Sequence, residues 1–598
     1  MLRGMRPPMW PRRRKNIRPA RHGRGLSDRS RTPPAGRVTA GVRRCRVESP
    51  RIAAAATFPP PRRSPVVYAA TPATSPRMRR ALAAIGAVAL LAGMLLAVPA
   101  RAAEPRIIDD IVVRSDDGVP IVATLMLPPG ASRKHRVPAI LQTHGWGGTR
   151  QRTPDGTAGL LLQRGYAILT WDSRGFGESG GEANVAAPQF EVRDAKALID
   201  YLAARREIRR DGPGDPRVGW IGGSNAAGIQ FNTAALDRRV DAIAPEISWG
   251  DLPQDLVPNQ VPKLGWNELL YGAGAAGAAA DGVQSPAGTQ LGVYAKQIHE
   301  GHAQIVTTGE QSSGITRWFS RRSTTQRSQR IRTPTLIIQG SIDTLFPLED
   351  AFDNYRRIAA NGTPVKLMAY CSGHSLAGCQ YPGGATGYPK GLPSGELPLY
   401  QLRIINWMDR YVKGRRGVDT GPEVEWQAQN GRYYGARRFP LPGTEMVRGN
   451  AMTTGALIGP GRTGGDGPAN GAPASADELG VTAARSVILP GAKNVRTIFG
   501  VPRVRLTGSA RGLASHVFFE LVDVAPDGTR VTLDDQTMPI RLGHGDVRRT
   551  FDLHGVAWKL KRRHALELEI TTGSAQYGVP RQGAYTVDLR AVTVLPIS

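Results

Sequence analysis

The 598-residue sequence predicts an α/β fold, a mostly parallel sheet covered by helices on both faces, followed by an all-β region. Three observations favour this class. Buried-strand runs alternate with helical spacing between residues 107 and 247. A glycine-bounded serine turn joins one of these strands to a helix. After Val418 the helical spacing ends, and alternating runs separated by Gly-rich segments take over.

The α/β part begins with two alternating strands around a turn, over residues 107–114 and 119–127. The elements predicted after them are, in order, strand 139–143, helix 159–164, strand 166–171, helix 190–206, strand 218–221, helix 229–236, strand 240–247, strand 335–340, strand 365–370 and helix 399–412. This alternation is typical of a parallel sheet.

The chain is organised around Ser224, which follows a short apolar run and two glycines and precedes small residues. This is the layout of a nucleophile elbow, in which the serine hydroxyl is exposed at a tight strand-to-helix turn. The turn has no room for large side chains two positions before and after the serine. Gly222 and Ala226 occupy those positions, so the motif is a relaxed G-x-S-x-G.

A serine nucleophile needs a base and a group that orients the base. Asp343 lies just past the predicted strand 335–340, and His374 lies in the loop after strand 365–370. Functional groups of open α/β sheets collect at such strand ends. A turn aspartate and a surface histidine are the alternatives, but the order Ser, Asp, His is that of α/β-hydrolases.

The segment His144-Gly145-Trp146-Gly147-Gly148 follows the predicted strand 139–143. A turn at this position offers a backbone N–H to an oxyanion, and the residue after the serine offers a second. The expected donors are Trp146 and Asn225. An ordinary Gly-rich turn is the alternative.

The chain resembles the X-prolyl dipeptidyl-peptidase and cocaine-esterase family of serine hydrolases. The residues that carry the resemblance are Trp171 to Gly181 (WDSRGFGESGG), the Ser224 turn, the turn from Gly340 to Pro347, and Gly373-His374-Ser375. The resemblance implies an α/β-hydrolase domain with a helical cap, followed by a jelly-roll (galactose-binding-like) sandwich, and it covers most of residues 104–598. Cocaine-esterase-like members place a tyrosine hydroxyl in the oxyanion hole, whereas His144-Gly145-Trp146 here favours a backbone donor.

These features divide the chain into four parts. We expect a basic arm over residues 1–77, a signal peptide over 78–102, a catalytic domain over 103–417 with a cap at about 248–331, and a β-sandwich over 418–598. The cap region contains several aromatic residues and an Ala/Gly tract, residues 273–282, that we expect to be flexible.

The net charge of +29 lies mostly at the N-terminus, because residues 1–80 hold 21 Lys and Arg but only Asp28 and Glu48. No folded nucleic-acid module follows this arm, so we expect no nucleic-acid partner. Met78-Arg79-Arg80, the uncharged stretch 81–100 and the small residues up to Ala103 have the pattern of a secretory signal peptide. Cleavage is expected after Ala102 or Ala100, and translation is expected to start at Met78, with residues 1–77 an annotation artefact. Otherwise they form a disordered arm.

Export predicts a secreted or cell-envelope protein, and contact with a membrane is expected only if residues 81–100 remain as an uncleaved anchor. Export also favours a disulfide between Cys371 and Cys379, whose loop contains His374, although two free thiols are the alternative.

The predicted function is hydrolysis of an ester or an X-Pro-type amide, in a small molecule or peptide, through an acyl-enzyme. A carboxylesterase or acylase of the same fold, or a non-catalytic carbohydrate- or wall-binding protein, are the alternatives. The acidic residues Glu246 and Asp251 are candidates for binding a substrate α-amino group. The sequence shows no cluster of metal ligands and no phosphate loop, so neither a metal nor a cofactor is predicted, and the oligomeric state stays open.

Overall fold

A computed structural model describes residues 104–280, 293–374, 397–459, 483–491, 493–512, 516–574, 576–577 and 583–598. The predicted basic arm, the signal peptide and Cys379 lie outside these residues. No helix in the described ranges is long and apolar enough to span a membrane.

The strands before the β region are β1 (Arg106–Arg114), β2 (Pro120–Leu127), β3 (Ala139–Thr143), β4 (Ala167–Trp171), β5 (Glu182–Ala183), β6 (Arg210–Gly212), β7 (Asp215–Pro216), β8 (Val218–Gly223), β9 (Val240–Glu246), β10 (Val293–Tyr294), β11 (Thr335–Gly340), β12 (Val365–Tyr370), β13 (Val424–Gln427) and β14 (Tyr433–Ala436). The helices are α1 (Gly156–Gln163), α2 (Glu191–Ala204), α3 (Asn225–Ala234), α4 (Leu252–Leu256), α5 (Leu264–Ala280), α6 (Lys296–Thr308), α7 (Ser313–Ser320), α8 (Leu348–Ala359) and α9 (Leu399–Tyr411), with 3₁₀ turns at Pro258–Gln260, Thr324–Gln326 and Ser328–Arg330.

Ten strands form one sheet in the order β1-β2-β4-β3-β8-β9-β11-β12-β13-β14. The six pairings from β4 to β13 are parallel, and the strand pairs at both edges are antiparallel. The α/β-hydrolase expectation is therefore confirmed. Strands β13 and β14 lie beyond the predicted domain boundary at residue 418 and extend this sheet.

The sheet is apolar on both faces because helices cover both. Ile229 of α3 packs in one core with Trp220 and Leu198, while Met408 of α9 packs in another with Ile338 and Met368. Strands buried on both faces have nearly continuous apolar sequences. This is why β4, β8 and β11 could be read as strands from the sequence.

The cap consists of helices α4 to α7 and the 3₁₀ turns around them, inserted between β9 and β11. The Ala/Gly tract predicted to be flexible is helical up to Ala280, its last described residue, so that prediction is wrong there. Alanine has the highest helix propensity. A Cβ at Gly274 would lie 2.1 Å from Tyr294 Oη and 2.5 Å from Trp146 Nε1, so glycine at this position lets the helix pack closely.

The β region contains β15 (Glu445–Gly459), β16 (Ala483–Leu489), β17 (Arg496–Gly500), β18 (Arg503–Gly512), β19 (His516–Val524), β20 (Arg530–Arg541), β21 (Gly545–Asp552), β22 (Val556–Leu560), β23 (Ala565–Thr571) and β24 (Gly583–Ile597). They form two antiparallel sheets, one in the order β21-β18-β24-β17-β22 with β15 also paired to β24, the other β16-β23-β19-β20. Alternate apolar residues of both sheets share one core.

The β region also packs against the catalytic sheet. Phe499 of β17 contacts Phe352 of α8, with ring centroids 5.3 Å apart, and Trp426 of β13, with centroids 5.1 Å apart. Phe439 stacks on Phe352 at 4.4 Å. These buried rings join the β region to the helix that follows β11.

Candidate active site

Ser224 lies at the turn between β8 and α3, with φ 56° and ψ −124°. This conformation is strained for a residue with a side chain. Its N–H donates a 2.9 Å hydrogen bond to the carbonyl of Glu246 at the end of β9, and the N–H of Gly228 donates to the carbonyl of Ser224 at 3.1 Å. These bonds hold the serine at the C-terminal edge of the sheet.

The small residues of the motif leave the space that the turn needs. Gly222 has φ +130°, and a Cβ there would lie 3.2 Å from the Cβ of Ala226. A Cβ at Gly228 would lie 2.2 Å from the ring of Trp249. The turn therefore accepts alanine instead of glycine at position 226, because residue 222 is glycine and has no side chain that would crowd the alanine.

The structure brings Ser224, Asp343 and His374 together from three separate strand ends. His374 Nε2 lies 2.8 Å from Ser224 Oγ, and His374 Nδ1 lies 2.7 Å from Asp343 Oδ2. The carboxylate on Nδ1 places the ring proton there, so that Nε2 accepts from the serine hydroxyl. Asp343 is completely buried.

Asp343 also has partners of its own. Its Oδ1 accepts hydrogen bonds of 3.0 Å from the N–H groups of both Leu345 and Phe346. The rings of Phe346 and Trp266 contact His374 edge-on, with centroids 5.1 and 6.1 Å away. The carboxylate is thus fixed by backbone donors, and the imidazole is fixed between two aromatic rings.

The loop predicted to hold the first oxyanion donor follows β3 and lies beside the serine, where a Cβ at Gly145 would be 3.7 Å from Ser224 Cβ. His144 is enclosed: its Nδ1 lies 2.7 Å from the carbonyl of Gly145, and its Nε2 accepts the N–H of Ser173 at 2.9 Å. Burial lowers the pKa of His144, so the ring is neutral and Nδ1 donates. This histidine fixes the start of the loop.

Both expected oxyanion donors border the same cavity as Ser224. Asn225 is the first residue of α3, so its N–H has no partner within the helix. Trp146 is anchored by its indole N–H, which donates to the carbonyl of Leu270 on α5 at 2.9 Å.

The cavity beside Ser224 lies between the sheet edge and the cap. Its lining is mainly apolar, with Val185, Trp249, Leu252, Leu256, Leu270, Ile298, Ile305, Phe319 and Phe346. Asn267, His302 and Gln311 add polar groups, and no carboxylate lines it among the residues that the structure describes.

The two acidic residues that are candidates for binding a substrate α-amino group have other surroundings than this cavity. Asp251 borders a different cleft, next to the β region, and faces the hydroxyl of Ser323 at 3.5 Å. Glu246 lies at the end of β9, where burial raises the pKa of its carboxyl to about 7. Neither is among the described residues that line the cavity at Ser224.

Cys371, three residues before His374, is disulfide-bonded. Its expected partner, Cys379, lies outside the described residues. The N–H of Cys371 also donates to Gln427 Oε1 at 3.1 Å, which joins the histidine loop to β13.

The motif from Trp171 to Gly181 has a structural role in this geometry. Buried Asp172 accepts the N–H of Arg150 at 2.6 Å, pairs with the guanidinium of the same residue, and accepts the N–H of Glu178 at 3.1 Å. Arg174 binds Asp194 of α2 through two hydrogen bonds of 2.5 and 2.7 Å. The motif therefore links the sheet edge to α2.

Three polar side chains next to the site were not found from the sequence: Lys263, Trp266 and Gln536. They bind the turn that carries Asp343. A lone lysine, tryptophan or glutamine far from the motif gives no signal of such a contact.

A parallel sheet that carries a serine at a strand-to-helix turn, followed along the chain by an aspartate and a histidine at later strand ends, defines the α/β-hydrolase class. The three side chains have the arrangement found in serine-type hydrolases. Residues 117–375 match the model of the X-Pro dipeptidyl-peptidase (S15) family, which confirms the resemblance read from the sequence. The matched segment includes Ser224, Asp343 and His374.

Curated relatives match a short part of the chain. A protein of Pseudomonas aeruginosa, described as uncharacterised, is 32% identical over 127 residues, 21% of this chain and 33% of the relative. The quorum-quenching protein AidA of Acinetobacter baumannii is 34% identical over 116 residues, 19% of this chain and 36% of the relative. The chain thus spans about a third of the length of these relatives.

Solved structures resemble nearly the whole described chain. A CocE/NonD family hydrolase from Staphylococcus aureus has a TM-score of 0.59 at 14% identity, over 83% of this chain and 94% of that one. An α-amino acid ester hydrolase has a TM-score of 0.60 at 14% identity, over 83% and 97%. An aminopeptidase from a marine-sediment archaeon of the Thaumarchaeota has a TM-score of 0.60 at 13% identity, over 83% and 97%. At these identities the likeness concerns the fold, including the β region.

Proposed function

We propose that this protein is an exported carboxylesterase that forms an acyl-enzyme on Ser224 and accepts uncharged, apolar acyl groups. The observation that carries the proposal is the hydrogen-bonded series Ser224–His374–Asp343 at the mouth of an apolar cavity.

The reaction follows from these contacts. Ser224 Oγ attacks the ester carbonyl carbon while His374 Nε2 takes the hydroxyl proton, and Asp343 stabilises the imidazolium. The carbonyl oxygen becomes an oxyanion that the N–H groups of Asn225 and Trp146 bind. Collapse breaks the bond to the leaving alcohol, which receives the proton from His374. A water molecule then repeats the sequence on the acyl-enzyme and releases the acid.

The lining of the cavity favours an ester over a dipeptide with a free amino terminus. A substrate ammonium group buried among Val185, Leu252 and Phe319 would lose its hydration without gaining a counter-charge from the described lining. An apolar acyl group gains from the same burial.

An X-Pro dipeptidyl-peptidase is the second candidate, because the family model that matches residues 117–375 bears that description. Its substrates need an acidic group near the serine. Such a group must come from outside the described lining of the cavity, since Glu246 and Asp251 are not part of that lining.

The N-terminal sequence supports export: we assign residues 78–102 to a signal peptide cleaved after Ala102 or Ala100, with translation starting at Met78. For the C-terminal region we propose a jelly-roll sandwich of the galactose-binding-like kind, which the two facing antiparallel sheets support. Mass spectrometry of the native protein tests the first assignment, since a peptide from before Met78 contradicts it.

The function is tested by turnover of p-nitrophenyl butyrate and hexanoate beside Gly-Pro p-nitroanilide. We expect kcat/KM for the esters to exceed that for the amide by at least about 100-fold, the difference that an unpaired buried charge produces. A fluorophosphonate probe should label wild-type protein but not Ser224→Ala, and this variant should lose turnover by several orders of magnitude. Unchanged turnover in Ser224→Ala contradicts the proposal. Preferential cleavage of the amide makes the second candidate correct.

A further inference from the structure

The acid turn, residues 341–347 between β11 and α8, carries Asp343 and is bound by side chains that are distant in sequence. Residues of a tight turn have backbone carbonyls without partners in a helix or sheet, and such carbonyls need partners when they are buried. Four carbonyls of this turn, those of Ser341, Asp343, Thr344 and Leu345, accept hydrogen bonds from only two side chains.

The first side chain comes from the cap. Lys263, immediately before α5, is completely buried, and its Nζ donates to the carbonyls of Thr344 at 2.8 Å and Leu345 at 3.1 Å. Burial lowers the pKa of Lys263, but the carboxylates of Asp255 and Glu349 favour its charged form. Trp266 of the same helix adds a hydrogen bond from its indole N–H to Thr344 Oγ1 at 3.1 Å.

These carbonyls belong to the peptide groups that bind the carboxylate. The carbonyl of Thr344 and the N–H of Leu345 share one planar peptide, and the carbonyl of Leu345 and the N–H of Phe346 share the next. Both N–H groups donate to Asp343 Oδ1. By binding the carbonyl ends, Lys263 fixes the direction of the N–H ends, and its hydrogen bonds polarise both peptide groups toward Asp343.

The second side chain comes from the β region. Gln536 on β20 is buried, and its Nε2 donates to the carbonyl of Asp343 itself at 3.1 Å and to that of Ser341 at 3.4 Å. The contact joins residues 193 positions apart in the chain. The acid turn is therefore held on one side by the cap and on the other by the β region.

We infer that Lys263 and Gln536 are positioning residues for Asp343, and that the β region thereby contributes to catalysis without touching the substrate. The inference rests on the proposed function, in which Asp343 orients His374. A turn that shifts by about 1 Å misaligns the imidazole, and a displacement of this size lowers turnover by up to about 10²-fold.

The variants Lys263→Met and Gln536→Leu remove the donors while keeping most of the side-chain volume. In each we expect kcat on a p-nitrophenyl ester to fall about 10- to 100-fold, with KM changed less than about two-fold, because the acyl cavity is untouched. The low-field proton resonance of the His374 Nδ1–H that faces Asp343 should shift or broaden in both variants. This resonance does not depend on turnover.

Two matched controls lie elsewhere in the chain. Lys366 is a buried lysine whose Nζ donates to the carbonyl of Thr420, and Gln429 is a half-buried glutamine whose Nε2 donates to the carbonyl of Lys559 at 2.6 Å. Lys366→Met and Gln429→Leu remove comparable bonds outside the acid turn. They should lower the melting temperature to a similar degree but leave kcat and the resonance unchanged.

Wild-type kcat and an unshifted resonance in folded Gln536→Leu would overturn the inference for the β region, and the same result in Lys263→Met would overturn it for the cap. An equal loss of kcat in the two controls would also overturn it, since general destabilisation would then explain the effect. If Lys263→Met does not fold, the result for Gln536→Leu tests the inference. Failure of the proposed function can be distinguished from failure of this inference. If the proposed function is wrong, the fluorophosphonate probe does not label the wild-type protein, whatever the resonance shows.

Discussion

The serine turn and the acid turn both follow parallel strands of the same sheet, yet they are stabilised in different ways. The serine turn depends on small residues beside Ser224 and on one backbone bond to the neighbouring strand β9. The acid turn depends on Lys263, which is 81 and 82 residues away from the two carbonyls that it binds, and on Gln536, which is 193 and 195 residues away from its two. Within the same strand and turn, Gln339 Nε2 donates to the carbonyl of Phe346 at 2.7 Å.

This difference follows from what each turn must achieve. The serine turn needs a strained backbone and an exposed hydroxyl, and small residues allow both. The acid turn needs a buried carboxylate at a fixed distance from the imidazole, and buried carbonyls must find hydrogen-bond donors wherever the fold supplies them. The first turn is therefore sensitive to added volume, and the second is sensitive to lost donors.

The largest loss of turnover among these predictions is expected from Asp343→Asn, a substitution that hardly changes the shape of the acid turn. The asparagine oxygen can still accept from the N–H groups of Leu345 and Phe346. Its amide nitrogen, however, donates to His374 Nδ1 and stabilises the tautomer that cannot accept the serine proton. We expect kcat to fall on the order of 10⁴-fold with little loss of stability. Steady-state kinetics and ¹⁵N shifts of the imidazole test this, and a loss below about 10-fold contradicts it.

A smaller effect is expected when volume is added at the serine turn. Gly228→Ala places a Cβ 2.2 Å from the ring of buried Trp249, which lines the acyl cavity. Overpacking costs about 1–3 kcal/mol, more than the gain of about 0.5–1 kcal/mol from the helix propensity of alanine. We expect a lower free energy of unfolding and slower labelling of Ser224 by the probe.

Gly272→Ala is the matched control, because it lies in a helix with no atom within 4 Å of the new Cβ. It should stabilise the protein by about 0.5–1 kcal/mol and leave labelling unchanged. Equal unfolding midpoints for the two alanine variants would contradict this prediction, because the contact between the new Cβ and Trp249 would then not destabilise the protein.

The same contrast explains which parts of the site could be predicted from the sequence. Gly222, Ser224 and Ala226 lie within five residues, and the order of Asp343 and His374 after buried strands follows from the parallel sheet. The strands β3, β11 and β12 match their predicted bounds because they are largely buried and have mainly apolar sequences.

Other features depend on tertiary contacts. The tract beginning at Ala273 has the composition of a linker, but contact with Trp146 and Tyr294 accompanies its helical form. Strands β13 and β14 lie after the change in composition at Val418, yet β13 pairs in parallel with β12. Gln536 is one of many polar residues on alternating strands, and only the folded chain shows that it reaches Asp343.

The smallest effect, a pH-dependent change in stability, is expected from replacing a buried carboxyl behind the acid turn. Asp534, two residues before Gln536, accepts the N–H of Ala557 at 2.6 Å and a hydrogen bond from the side chain of Ser341. Burial raises its pKa to about 7, above the ordinary value of 3.8. The folded protein therefore retains a proton that the unfolded chain has released, so this contribution to stability is full below about pH 4 and is lost as the pH rises to about 7.

Asp534→Asn removes this titration while keeping an oxygen for Ala557, and asparagine tolerates the positive φ of 50° at this position. The variant should be more stable than wild type at pH 8, by a margin that grows between pH 5 and 7 and is constant above. Urea unfolding at pH 5, 6, 7 and 8 measures that margin, with kcat recorded at each pH. A margin that does not change with pH would mean that Asp534 is already ionised in the folded protein. An increase in stability without any change in kcat at pH 8 is expected, because Gln536 and Lys263, rather than Asp534, bind the carbonyls of the acid turn.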